Sequence, residues 1–297
     1  MGTHARLHGI TAMLMAVAAF SGMDAFLKLF SEHYAPMQVA AMRGGAALPF
    51  VLLLVRATGK FSDLKPQRIW MHVLRGALTV VVMYTFVKAV TILSLADAYS
   101  IFLAAPLIVT ALSVPLLKEH VGIRRWIAIG VGMIGVLTML RPSASTVVTL
   151  GGLAALVSAV TYALNAIALR ALTRTETTGS VIFSTLLIMT LIAALLALPA
   201  WKPISPDHLP WLVAIGVLGT LGQYFLTVAF RSAPAAVVSP FEYTALLWGI
   251  AIDWAVWSVL PSHRVYIGGG IVVASGLYLI WRETRATQPS AATSITN

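Results

Sequence analysis

Apolar residues in this chain run in long blocks separated by short polar turns. They show neither the twofold alternation of a half-buried strand nor the 3.6-residue period of a surface helix. Ten blocks can be drawn, at 8–30, 35–55, 70–91, 95–117, 123–140, 149–171, 178–200, 209–231, 235–260 and 264–281. Each holds about 18 to 26 residues, enough for a helix to cross a roughly 30 Å hydrocarbon layer. A helix satisfies its own backbone in lipid, so the pattern predicts an all-α membrane protein with ten transmembrane helices. The first block is too long for a signal-peptide core and is expected to stay in the mature chain. The polar Ala/Thr/Ser-rich segment 284–297 is expected to be a disordered tail.

Composition narrows the class. Charged residues make up 10% of the chain and hydrophobic ones 59%, against about 25% charged in an ordinary soluble domain. The absence of cysteine excludes a disulfide scaffold, a thiolate metal site and a cysteine nucleophile. A net charge of +10 would suggest nucleic acid in a soluble protein, but here the basic residues sit between apolar blocks and act as an orientation signal. Arg6, Arg56, Lys60, Lys65, Arg68, Lys118, Arg124, Arg125, Arg170, Arg174, Arg231, Arg282 and Arg285 fall on the side of the termini. Arg141, Lys202 and Arg264 fall on the other. The bias predicts cytoplasmic N- and C-termini.

The two halves superpose weakly under a common shift. Moved by 141 residues, Trp70 meets Trp211, Gly135 meets Gly276 and Asp24 meets Asn165; moved by 140, Tyr84 meets Tyr224. That shift equals five spans. Five is odd, so the halves, 1–141 and 142–283, are expected to cross the membrane in opposite senses. Inverted repeats of this kind place a substrate site near the midplane between the halves.

Charges inside apolar blocks need partners. The half predicted to face outward holds Asp24, Lys28, Arg43, Lys88 and Asp97. The expected pairs are Asp24 with Lys28 or Arg43, and Lys88 with Asp97, either as helix locks or as substrate contacts. Glu242 lies roughly 10 Å from the inner end of its block. It could latch onto Arg75, bond loosened backbone or tyrosine hydroxyls, or carry a coupling proton. Asp253, beside Trp254 near an outer end, is expected to be wetted at the interface.

Proline adds a pattern. Pro106 lies in the fourth block and Pro240 in the ninth, equivalent blocks under the repeat. Each removes a backbone hydrogen bond and lets its helix bend or unwind. Tyr84, Tyr99, Phe102, Tyr162, Tyr224 and Tyr243 cluster on blocks 3, 4, 6, 8 and 9, with Asn165 and Gln223 at similar depth. Buried tyrosines want partners for their hydroxyls, so these residues predict a polar cavity with apolar walls. Asn165 and Gln223 are expected to hold an amino or carboxyl group. The glycines at 130, 132 and 135 and at 268–270 are expected to serve helix packing.

All seven histidines lie in loops or near block ends, and neither HExxH, nor a P-loop, nor a Ser/His/Asp set is visible. A membrane protease, a metalloenzyme and an ATP-driven pump lose their expected groups, and no cofactor is implied.

At the level of motifs the chain resembles the drug/metabolite transporter superfamily, and within it the ten-span EamA-type exporters. The likeness spans residues 8–281. It rests on the five-plus-five layout, Arg43, the run from Pro106 to Leu112 followed by Leu117-Lys-Glu119, and Ser239-Pro-Phe-Glu-Tyr243. Leu260-Pro-Ser stands where a second glutamate often follows the ninth span. Aromatic amino acid exporters of the YddG type, from bacterial inner membranes, are the nearest likeness. The resemblance implies a non-enzymatic inner-membrane exporter of small amphipathic metabolites, foremost aromatic or neutral amino acids, working by alternating access as a monomer or weak homodimer. The alternatives are export of a purine, drug or other amino acid, and, from another class, a membrane-embedded lipid-handling enzyme.

Overall fold

The computed structural model describes residues 3–59, 61–117, 123–140 and 149–286. Its regular elements there are helical. They are α1 (Thr3–Ser31), α2 (Pro36–Thr58), α3 (Ile69–Val90), α4 (Leu95–Phe102), α5 (Ala105–Leu117), α6 (Ile123–Leu140), α7 (Leu150–Leu172), α8 (Thr178–Ala197), α9 (Leu209–Ser232), α10 (Ala235–Val238), α11 (Thr244–Trp257) and α12 (His263–Ala286), with short 3₁₀ turns between some of them. Residues 118–122, Glu119 among them, 141–148 and 287–297 lie outside the described residues.

Six helices are long and apolar enough to cross a membrane: Leu7–Ser31, Pro36–Ala57, Ile69–Val90, Leu150–Leu172, Thr178–Ala200 and Pro206–Ser232. The chain is a multi-pass membrane protein. Polar side chains start several helices at the turns. Ser94 accepts from the Asp97 N–H at 3.0 Å, Thr149 from Gly152 at 3.2 Å and Thr177 from Ser180 at 3.1 Å. Each satisfies an N–H that the helix itself leaves free.

The fourth and ninth blocks are broken rather than continuous. Leu103 and Ala104 separate α4 from α5, two residues before Pro106. A 3₁₀ stretch, Ser239–Tyr243, contains Pro240 and separates α10 from α11. In both places the ring removes an N–H that a continuous α-helix would have used. Irregular backbone at membrane depth is tolerated where protein or a cavity surrounds it.

The helices pair across the two halves. α1 packs on α9 and α3 on α7; α2 packs on α8 and α9, and α3 on α8; α6 packs on α12, and α4 on α11. Exchanging each apolar block for the one five later leaves this set of pairs unchanged. Small residues set the closest approaches. A Cβ at Gly44 would collide with Thr190, one at Gly76 with Ile188, and one at Gly132 with Leu107. Gly130 and Gly270, by contrast, face open space, so the glycine pattern of the last block in each half is only partly a packing device.

Candidate functional site: a charged, aromatic-walled cavity

A cavity opens between the halves, with about 910 Å³ of atom-free space including its mouth. α1 supplies a stripe at helical spacing, Met13, Ala16, Val17, Phe20 and Asp24. α3 supplies Arg75, Thr79, Val82, Met83 and Phe86 in the same way, and α2 adds Arg43. Tyr99 and Phe102 come from α4, Tyr162 and Asn165 from α7, Gln223 and Leu226 from α9. Leu103 and Glu242 come from the two helix breaks themselves. Phe86 stacks on Tyr99 with ring centroids 6.1 Å apart, and Phe102 leans on Tyr162 at 5.1 Å.

The charged groups differ in how they are satisfied. The Tyr99 hydroxyl donates to Asp24 Oδ2 at 2.7 Å. Arg75 is held by protein alone: Nε donates to Asn165 Oδ1 at 3.0 Å, and Nη1 to Thr185 Oγ1 at 2.7 Å and the Val181 carbonyl at 3.4 Å. Asn165 Nδ2 returns bonds to Thr79 Oγ1 at 2.7 Å and the Arg75 carbonyl at 3.2 Å. This closed knot ties α3 to α7 and α8. Arg43, only 3% exposed, donates to two sulfurs, Met23 Sδ at 3.2 Å and Met189 Sδ at 3.5 Å. Tyr162 lies beside Glu242 and bears on it electrostatically. Glu242 Oε1 and Gln223 Oε1 are buried and find no partner among the described residues.

Nine of the residues expected from the sequence meet here: Asp24, Arg43, Arg75, Tyr99, Phe102, Tyr162, Asn165, Gln223 and Glu242. Three expected wall residues lie elsewhere. Tyr84 is 39% exposed and sits nine residues after Arg75, about two and a half turns along α3, so it faces the opposite side of the helix. Tyr224 packs with Phe225, ring centroids 5.3 Å apart, beside the α2–α8 core. Tyr243 is buried in the α4–α11 core, and its hydroxyl has no partner among the described residues.

The ion pairs also differ from expectation. Among the described residues the lysine or arginine ion pair is Lys28–Asp253, and His72 Nε2 stands 3.4 Å from Glu176, an ion pair only when the imidazole is protonated. Lys28 reaches Asp253 at 3.2 Å and lies over the Trp257 ring, 4.3 Å from its centroid, so it does not pair with Asp24. Asp253 is fully buried rather than wetted, because it also accepts from the backbone N–H of Leu95 and Ala96. Arg43 bears on Asp24 through its charge but makes its hydrogen bonds to sulfur. Lys88 is exposed at the end of α3 and Asp97 half-buried in the first turn of α4, and among the described residues they form no ion pair with each other. Arg75 binds Asn165 and not Glu242.

A second polar knot lies between the α2–α3 and α7–α8 turns, where the sequence had singled nothing out. Glu176, 3% exposed, accepts from the N–H groups of Gln67 and Arg68, each at 2.8 Å, and from Ser180 Oγ at 3.2 Å. His72 Nε2 stands 3.4 Å away. Burial alone would raise the Glu176 carboxyl, but these donors outweigh it and hold it below the usual glutamate range.

The model of the EamA-like transporter family matches the chain twice, at residues 7–141 and 149–282. A riboflavin transporter of Vibrio cholerae is 27% identical over 290 residues, covering 96% of this chain and 97% of that one. An S-adenosylmethionine uptake transporter of Rickettsia prowazekii is 25% identical, covering 94% and 95%. A crystal structure with 17% identity aligns over 97% of this chain and all of its own, with a TM-score of 0.68, and shows the shared fold.

Proposed function

The chain belongs to the EamA-like transporter family, and from that premise we propose that it exports small amphipathic, zwitterionic metabolites, foremost amino acids with aromatic or other apolar side chains. The observation that carries this is the cavity. It joins an aromatic wall (Phe20, Phe86, Tyr99, Phe102, Tyr162) to two carboxyl groups and a guanidinium (Asp24, Glu242, Arg43). An apolar side chain would bury against the rings, while an α-ammonium and α-carboxylate would each meet an opposite charge. Arg75 and Asn165 shape the wall, and the helix breaks at Pro106 and Pro240 supply the give that alternating access needs.

The twofold family match and the exchange symmetry of helix pairs support an inverted five-plus-five arrangement. The charge bias along the chain supports cytoplasmic termini in a bacterial inner membrane. Net direction then follows the substrate gradient or a coupled ion.

A second substrate class has a specific observation behind it. The riboflavin transporter relative and the five rings of the wall favour a planar heterocycle. Proteoliposomes containing the purified protein separate the two. Export of labelled phenylalanine, competed by other apolar amino acids and not by riboflavin, is the expected result. Riboflavin flux without amino acid flux would replace the first substrate with the second, and flux of neither would overturn both.

A further inference from the structure

The cavity holds two buried arginines, and they are not equivalent. Arg75 spends its donors on Asn165, Thr185 and the Val181 carbonyl. That guanidinium is a strut. Arg43 is as deeply buried, yet its hydrogen bonds among the described residues go to the sulfurs of Met23 and Met189. A thioether is a weak acceptor. A guanidinium is built to meet a carboxylate with two parallel N–H···O bonds, and a buried one without an oxygen acceptor is costly. Asp24 lies close enough to offset part of the charge, but its Oδ2 takes the Tyr99 hydroxyl and it makes no ion pair with Arg43. Its neighbour Gly44 brings α2 hard against Met189 and Thr190 of α8, which seats the Arg43 backbone at a buried helix crossing.

The same cavity shows the opposite deficit at Glu242 and Gln223. Glu242 Oε1 and Gln223 Oε1 are buried acceptors without donors among the described residues. A guanidinium short of oxygen acceptors and two oxygens short of donors therefore line one space.

Resting on the transport role proposed above, we infer that Arg43 is the carboxylate-recognition residue of the substrate site, that Met23 and Met189 hold its guanidinium until substrate arrives, and that Glu242 with Gln223 receives the substrate's ammonium. The site thus selects for a molecule bearing both groups. It discriminates against one that has lost either, because the matching buried group is then left unpaired. Arg75 takes no direct part.

Equilibrium binding to the purified full-length protein tests this with three probes of one skeleton: phenylalanine, phenethylamine, which lacks the carboxylate, and 3-phenylpropionate, which lacks the ammonium. The wild-type protein is expected to bind phenylalanine at least about tenfold tighter than either analogue, the worth of one charge-assisted contact. In Arg43→Gln the preference over phenethylamine is expected to collapse while the preference over 3-phenylpropionate persists. Glu242→Gln is expected to do the reverse. A carboxylate preference that survives in a folded Arg43→Gln overturns the assignment, and so does wild-type protein that binds phenethylamine as well as phenylalanine, a result that needs no variant to fold. If no amino acid binds, the proposed substrate class fails, and S-adenosylmethionine against its decarboxylated form puts the same question to Arg43. Loss of that preference in Arg43→Gln keeps the inference, and equal binding of the two forms overturns it.

Discussion

Lys28 Nζ stands 3.2 Å from Asp253 Oδ1, joining α1 to α11 across the two halves of the chain. The same carboxylate caps α4, accepting from Leu95 at 3.2 Å and Ala96 at 2.7 Å, where the helix N-terminus favours negative charge. One side chain thus fixes three helices. Asp253→Ala would leave the largely buried Lys28 without its counter-charge and two N–H groups without acceptors. It is expected to destabilise the protein by about 3–5 kcal/mol. Lys28→Met should cost less, because Asp253 keeps both backbone donors. Thermal unfolding in detergent is the measurement, and a double-mutant cycle should return a coupling on the order of 1–2 kcal/mol. An Asp253→Ala protein as stable as wild type would remove the clamp.

Tyr99 gives the only hydroxyl donor that Asp24 has among the described residues. Its ring is tightly seated, since a Cβ at Gly249 would come within 2.6 Å of Tyr99 Cδ2. Tyr99→Phe therefore keeps the stack on Phe86 and deletes one bond to a buried carboxylate, with an expected cost of about 1–3 kcal/mol. Transport should fall together with stability. Tyr84→Phe, on the exposed side of α3, should change stability by less than about 0.5 kcal/mol and leave transport intact. Equal losses in the two variants, read by flux and unfolding temperature, would dissociate the hydroxyl of Tyr99 from function.

The long helices are legible in the sequence because uninterrupted apolar blocks of some twenty residues have few other solutions. The breaks near Pro106 and Pro240 are legible for the same kind of reason, a missing N–H. Side-chain facing is harder. Met13, Val17, Phe20 and Asp24 follow helical spacing, as do Arg75, Thr79, Val82 and Phe86. Extending each stripe from its charged member finds the wall and excludes Tyr84. Selecting residues by type, as hydroxyl-bearing aromatics, instead admits Tyr84, Tyr224 and Tyr243. Partner choice is harder still. Lys28 and Asp253 are 225 residues apart, Arg43 and Met189 146, and nothing local in the sequence links either pair.

Gly216 marks the tightest crossing of α2 and α9. A Cβ there would collide with the Ala46 carbonyl oxygen and lie 2.8 Å from Phe50 Cε2. The obstacle is backbone, so no rotamer change relieves it. Gly216→Ala is expected to cost about 1–3 kcal/mol through forced separation of the helices. At Gly130 a Cβ meets nothing within 4 Å, and Gly130→Ala should be neutral or stabilising by up to about 1 kcal/mol, the helix-propensity difference. Unfolding temperatures that rank the two variants the other way would refute the close packing of α2 on α9.

Glu176 gives the fold a defined response to acid. The carboxyl is held below its ordinary value of 4.5, so the folded state binds its proton less readily than the unfolded chain does. The stabilisation is therefore fully present above the unfolded value and is lost as pH falls through the lower folded value. Across pH 6–8 Glu176→Gln should unfold more easily than wild type by about 1–3 kcal/mol, because an amide oxygen is a weaker acceptor for the Gln67 and Arg68 N–H groups than a carboxylate. The gap between the two proteins should narrow only as pH drops below the usual glutamate range. The turns holding Gln67, Arg68 and Glu176 belong to opposite halves of the chain, so the substitution is also expected to expose both to added protease. Unfolding curves measured from pH 3 to pH 8 decide the matter: a gap that stays constant across that range would mean that Glu176 contributes by shape and not by charge.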